Sequence, residues 1–173
     1  MVKGKGKRLD RASSVSWIVC LLCRVILLSK NFSLKCITGV HPDTVNRWIR
    51  NVLRRGVSDL NLFTDFSDED TEEDSCLPRE LFLSSTLVKL KLRSEHCVDW
   101  WWRGGMMGYS FTLPMLKSLD IDSHLIFCGE IEEFIPSFPV LEELRMANMD
   151  WGETDVTVSS ASLRKLSLPR HWL

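Results

Sequence analysis

Five times along the chain an apolar residue is followed by two more, three and five places on. The copies are Val57-Ser58-Asp59-Leu60-Asn61-Leu62, Leu87-Val88-Lys89-Leu90-Lys91-Leu92, Leu116-Lys117-Ser118-Leu119-Asp120-Ile121, Leu141-Glu142-Glu143-Leu144-Arg145-Met146 and Leu163-Arg164-Lys165-Leu166-Ser167-Leu168. Their central leucines, Leu60, Leu90, Leu119, Leu144 and Leu166, are separated by 30, 29, 25 and 22 residues. The last four positions of each hexad alternate polar and apolar, which is the period of a strand with one buried face. Each hexad therefore predicts a short strand whose central and final apolar residues point inward and whose intervening residues point outward. Phe32-Ser33-Leu34-Lys35-Cys36 alternates in the same way, and Phe32 stands 28 residues before Leu60.

Between this first alternating segment and the first hexad the period changes. Val45, Trp48, Ile49, Val52 and Leu53 follow the i, i+3, i+4, i+7, i+8 rule and make one apolar helical face. Pro42 and Asp43 open this helix, with Asp43 or Thr44 as its cap. Arg54 and Arg55 occupy the last turn, and Gly56 stands where a terminating glycine belongs. Further on, 130–135 reads as a short helical crossover stopped by Pro136. Pro114 and Pro139 each stand two residues ahead of a hexad, where they fix an extended approach without breaking the ladder.

A unit of one short strand and one crossover cannot bury its own apolar face, whereas stacked units share a continuous core. The intervals fall within or just above the range of leucine-rich repeats. The expected fold is thus α/β: a leucine-rich-repeat solenoid with a curved parallel sheet and an irregular or short-helical convex side. It forms a partial array of about five to six repeats over residues 31–173.

The segment ahead of the array divides in two. Residues 1–14 predict a basic disordered tail, since the first eleven residues hold five Lys/Arg and one Asp. Residues 15–30 predict an N-terminal helix, with Trp17, Leu21, Arg24/Val25 and Leu28 at helical spacing and Ser14 or Ser16 as cap. The competing reading is a secretory signal, after which Asn31-Phe32-Ser33 would be a glycosylation sequon. Arg24 interrupts that apolar run, no small-x-small cleavage site follows, and the run is too short to span a bilayer.

Composition narrows the function. Apolar residues make up 45% of 173, enough for a core, and the net charge of -1 argues against a general nucleic-acid binder. Of six cysteines only Cys20 and Cys23 have metal-like spacing, and with no second pair the cysteines are expected as buried thiols of a reducing compartment. The histidines are scattered, and no zinc-protease pair, nucleophile elbow, phosphate loop or dinucleotide fingerprint occurs. The chain is expected to be no enzyme and to carry no cofactor or metal, with neither nucleic acid nor membrane as partner.

What remains is binding chemistry. In register, the outward positions form the rows Asp59, Lys89, Ser118, Glu143, Lys165; then Asn61, Lys91, Asp120, Arg145, Ser167; then Phe63, Arg93, Asp122, Ala147, Pro169. Lys91–Asp120–Arg145 and Arg93–Asp122 alternate in sign across adjacent strands. Lys89, Lys91, Arg93, Asp120, Asp122 and Arg145 are candidates for binding a protein partner on the concave face, and equally for a self-neutralising ladder within it. Trp100, Trp101 and Trp102 are consecutive, so no one helix or strand face buries all three. With Gly104, Gly105 and Gly108 they define a Trp/Gly loop over 97–111, a second candidate surface. Residues 65–75, with seven carboxylates between positions 65 and 74, read as a solvated acidic loop.

Several stretches resemble the leucine-rich-repeat region of plant F-box/LRR proteins, in particular the group that also carries an FBD domain. They are "NFSLKC", "VNRWIRNVLRRGVSDLNL", "LPRELFLSSTLVKLKL", "TLPMLKSLDID", "FIPSFPVLEELRMAN" and "SASLRKLSL". In that family the F-box docks on the Skp adaptor of a cullin-based ubiquitin ligase and the repeats recruit the substrate. The resemblance implies a protein-interaction module of this kind, cytoplasmic or nuclear. The segment before the array is too short and too basic for an F-box and the chain stops just after a repeat. The expectation is therefore a module without its own F-box, reaching the Skp adaptor only if an F-box is supplied elsewhere. The alternatives are a stand-alone scaffold, decoy or degenerate gene fragment and, more distantly, a secreted repeat protein. Leu77-Pro78-Arg79-Glu80-Leu81 looks like the opening of an F-box, yet it lies inside the array and runs into a strand, so it reads as repeat packing.

Overall fold

The computed structural model describes residues 16–20, 23–28, 30–37, 40–65, 77–93, 112–122, 135–148 and 157–169. Among these, eight strands form one sheet in chain order: β1 (Ser16–Cys20), β2 (Cys23–Leu28), β3 (Asn31–Ile37), β4 (Asp59–Asp65), β5 (Lys89–Arg93), β6 (Ser118–Asp122), β7 (Glu143–Ala147) and β8 (Lys165–Ser167). β1, β2 and β3 pair antiparallel, and from β3 to β8 every pairing is parallel. Six parallel strands in sequence order, β3–β8, each joined to the next by a crossover, are the repeat solenoid expected from the hexads.

The register follows the hexads residue for residue. Phe32, Leu60, Leu90, Leu119, Leu144 and Leu166 are successive Cα partners, and so are Leu34, Leu62, Leu92, Ile121 and Met146. A third inward column comes from the first hexad positions Val57, Leu87, Leu116 and Leu141, all buried. Burying one such side chain contributes about 1.5–3 kcal/mol, so the three columns are the main cohesive force of the array. A register slip of one residue would turn every leucine to the solvent face, which is why the alternation alone specifies the pairing.

A column of backbone carbonyls joins one repeat to the next. The carbonyl of Lys30 accepts the N–H groups of Ser58 and Asp59, and that of Ser58 accepts those of Val88 and Lys89. Val88, Lys117 and Glu142 do the same for the repeats that follow them, at 2.8 to 3.1 Å. These bonds satisfy the backbone just ahead of each strand and use no side chain. One side-chain supplement is the Thr86 hydroxyl, which donates to the Val57 carbonyl at 2.9 Å.

The crossovers fill the other layer. α1 (Pro42–Arg54) connects β3 to β4 and buries Val45, Ile49 and Val52, with Trp48 and Leu53 packed partly against the core. The His41 ring caps it, Nδ1 accepting from the Asp43 N–H at 3.4 Å, so neither Asp43 nor Thr44 is the cap; both lie inside the helix. At the other end Gly56 (φ 72°) donates to Leu53 and Val57 donates to Val52, closing the helix in a Schellman turn. A 3-10 turn, Arg79–Leu83, occupies the next crossover and buries Leu81 and Phe82; Leu77 and Pro78 just before it are buried too. Leu77, Pro78 and Leu81 of the F-box-like string are therefore packing residues of the array, while Arg79 and Glu80 face outward. A second 3-10 turn, Ile135–Ser137, buries Ile135.

Two expectations are corrected. Residues 15–30, expected as a helix, contain β1 and β2 instead. The segment holds three Val, two Ile and one Trp, which favour a pleated surface, and β2 pairs with β3, which would otherwise be an open edge. Cys36, expected as a free thiol, is disulfide-bonded. Its register partner across β2 and β3 is Cys23, a juxtaposition that a helix over 15–30 conceals. The basic tail 1–14, nearly all of the acidic loop 65–75, the Trp/Gly loop 97–111 and most of the crossover at 130–135 lie outside the described residues.

Candidate protein-interaction surface

Because side chains alternate along a strand, β4–β8 present the residues that flank their central leucines in rows on the opposite face. The row order is the one the hexads predict: Asp59, Lys89, Ser118, Glu143 and Lys165 are successive partners, as are Asn61, Lys91, Asp120, Arg145 and Ser167. The third row, Lys35, Phe63, Arg93, Asp122 and Ala147, departs at its end, where Ala147 is buried.

Five of the six charged candidates form one network. Asp120 receives Lys91 Nζ at 2.9 Å on one oxygen and Arg145 Nη1 at 2.8 Å on the other. Asp122 stands 3.8 Å from both Arg145 Nη1 and Arg93 Nε. Arg93 Nε makes no hydrogen bond, so it is held in the network by charge alone. Burial works to raise the Asp120 pKa, but the hydrogen bonds and charges of Lys91 and Arg145 outweigh it and hold the carboxyl below its ordinary value. The Asp120 hydrogen bond in turn raises the Arg145 pKa. The middle of the face is thus a set of mutually positioned ions, each exposed pair worth about 0–1 kcal/mol.

The first row behaves differently. Asp59 and Lys89 are register partners, as are Glu143 and Lys165, yet neither couple is among the ion pairs of the described residues. Lys89, Glu143 and Lys165 are exposed. Lys89, the sixth candidate, stands outside the network and is in no ion pair among the described residues. Trp100, Trp101 and Trp102 lie outside the described residues.

Four contacts were not anticipated from the hexads. Asn148 adopts a left-handed backbone (φ 56°), which Asn tolerates, and its Nδ2 donates to Asp122 Oδ1 at 2.6 Å. An Asn directly after a strand was the available signal. Lys35 places its ammonium 4.8 Å from the centre of the Phe63 ring, a cation–π contact between adjacent strands. On the crossover side, Lys117 Nζ donates to Glu142 at 2.9 Å and Arg50 Nε to Glu80 at 3.3 Å. Among the described residues, no group of three or more His, Cys, Asp or Glu is placed to hold a metal, and no helix is long and apolar enough to cross a membrane.

Residues 45–172 match the family model described as the LRR repeats of the FBD-associated F-box protein At5g56370. The chain belongs to the plant F-box/LRR-repeat family. It is 70% identical over 142 residues to the F-box/LRR-repeat protein At3g58940 of Arabidopsis thaliana, covering 80% of this chain and 22% of that relative. It is 59% identical over 174 residues to the F-box/LRR-repeat protein At3g58930 of the same plant, covering 96% of this chain and 34% of the relative. The chain therefore spans about a fifth to a third of the length of these curated relatives, and the matched family model is one of repeats. No solved structure matches.

Proposed function

We propose that this F-box/LRR-repeat chain binds a protein partner on its concave sheet face, as the substrate-recruiting region of a ubiquitin-ligase receptor acting in the cytosol or nucleus. The observation that carries the reading is the contrast between two neighbouring rows on that face. One is fixed by the Asp120–Arg145 network, and the other leaves Lys89 and Glu143 exposed and in no ion pair among the described residues. A rigid, registered surface with free charges recognises a partner by position and gains specificity from every misplaced charge it rejects. Docking on a Skp adaptor requires an F-box, on the same polypeptide or on a bound relative, and is not assigned to these repeats.

The test is site-specific photo-crosslinking in plant cells. A photoreactive residue replacing Lys89 or Glu143 is expected to capture a defined protein partner. The same residue replacing Leu83 or Met115, which are exposed in the crossovers, is expected to capture far less. Equal capture from the two sides, or capture from the crossovers alone, removes the concave-face reading.

A further inference from the structure

We infer that strands β3–β5 of the concave face take an extended acidic segment of the protein partner. The inference rests on the interaction reading above and names the partner's chemistry. Charge is divided unevenly along the array. β3–β5 carry four cations at outward positions, Lys35, Lys89, Lys91 and Arg93, against two carboxylates, Asp59 and, at the next outward register position of β4, Asp65. β6–β8 place three carboxylates, Asp120, Asp122 and Glu143, against the two cations Arg145 and Lys165. The network between the halves holds Lys91, Arg93 and Arg145 against Asp120 and Asp122, so it is itself left with an excess positive charge.

The spacing matches one kind of ligand. Lys89, Lys91 and Arg93 occupy alternate positions of β5, so they recur about every 6.6 Å. A second extended chain laid along β5 has the same pitch, and carboxylates on every other residue of it meet the three cations in turn. Lys35 flanks this column two strands away, and the Phe63 ring beneath its ammonium restricts where the charge can sit. Lys35 and Lys89 are both exposed, and neither is in an ion pair among the described residues. They remain available to a ligand while Lys91 and Arg93 are held in place by the network.

The experiment is fluorescence anisotropy with the full chain and a fluorescein-labelled peptide, Glu-Ser-Glu-Ser-Glu-Ser-Glu, with Lys-Ser-Lys-Ser-Lys-Ser-Lys as control. The acidic peptide is expected to bind and to weaken as salt rises, since the contacts are exposed ion pairs. The double variant Lys35→Gln/Lys89→Gln is expected to lose about fivefold or more in affinity. Lys165→Gln, on β8, is expected to leave it unchanged. Both variants replace exposed side chains, and their unfolding midpoints establish that the fold is intact. Failure of the acidic peptide to bind, or an equal loss from Lys165→Gln, overturns the inference. Binding that arises only once Asp68, Glu69, Asp70, Glu72, Glu73 and Asp74 are changed to their amides also overturns it, by giving the face to the chain's own acidic run. A partner captured at position 143 and never at 35 or 89 overturns the acidic-segment assignment while leaving the concave-face reading standing.

Discussion

The two ends of the parallel array carry the same alternation and meet different fates. At β3, Phe32 and Leu34 are 3% and 1% exposed, because β2 and β1 continue the sheet on one side and β4 stacks on the other. At β8, Leu166 and Leu168 are 44% and 41% exposed, because no described strand pairs with its far side. An inward position in a solenoid is thus buried by its neighbours and not by its own sequence. The hairpin β1–β2 contains no hexad, yet it gives β3 the cover that a preceding repeat would give.

The strongest way to break this comparison is a matched pair of truncations. Leu119→Ala, fully surrounded, should cost about 2–5 kcal/mol, while Leu166→Ala should cost about 1 kcal/mol or less. Urea unfolding midpoints measure both, and equal costs would show that β8 is covered in solution. A smaller effect belongs to the covered end. Gly56→Ala meets no atom within 4 Å but must hold φ near 72°, so strain alone should cost about 1–2 kcal/mol. Hydrogen exchange should show it as lost protection at the C-terminal turn of α1 and the start of β4, with β7 unaffected.

The smallest effect separates the middle of the array from both ends. Asp120→Asn removes the anion that Lys91 and Arg145 share, at about 1 kcal/mol or less near neutral pH. Because the native pKa of Asp120 lies below its ordinary value, the unfolded chain takes up the proton first as pH falls. The stabilisation is therefore fully present above about pH 4 and fades as pH drops through the lower native value. Unfolding midpoints measured from pH 6 to pH 3 should fall more steeply for the parent than for Asp120→Asn. Parallel curves would mean that the ladder adds nothing to stability.

Most of the parallel sheet was legible because two signals coincide in it. Each hexad marks a strand, and its spacing from the next marks a stack; together they fix which residue faces which, down to Lys91 opposite Asp120. α1 was legible for the same reason, with five apolar residues on one face and Gly56 at its end. The N-terminal hairpin was not, because Trp17, Leu21, Val25 and Leu28 satisfy a helical spacing while pairing with β3 decides the outcome. His41 escaped notice as a cap because a ring nitrogen seldom takes that role, and it does so here only because it can reach the Asp43 N–H. The sign alternation of the concave rows was readable, but which row closes into ion pairs depends on side-chain reach. Lys91 and Arg145 span the gap to Asp120, whereas Lys89 and Asp59 do not close theirs.

The carbonyls of Lys30, Ser58, Val88, Lys117 and Glu142 that tie each repeat to the next belong to five positions with four different side chains, apolar, hydroxyl, basic and acidic. The joint is indifferent to what it carries and equally to how long the intervening excursion is, since repeats of 30 and 22 residues close on it alike. A gene encoding such an array can gain, lose or lengthen whole units in frame without shifting the alignment of the survivors. A change in a crossover or on an outward row leaves the seam itself as it was.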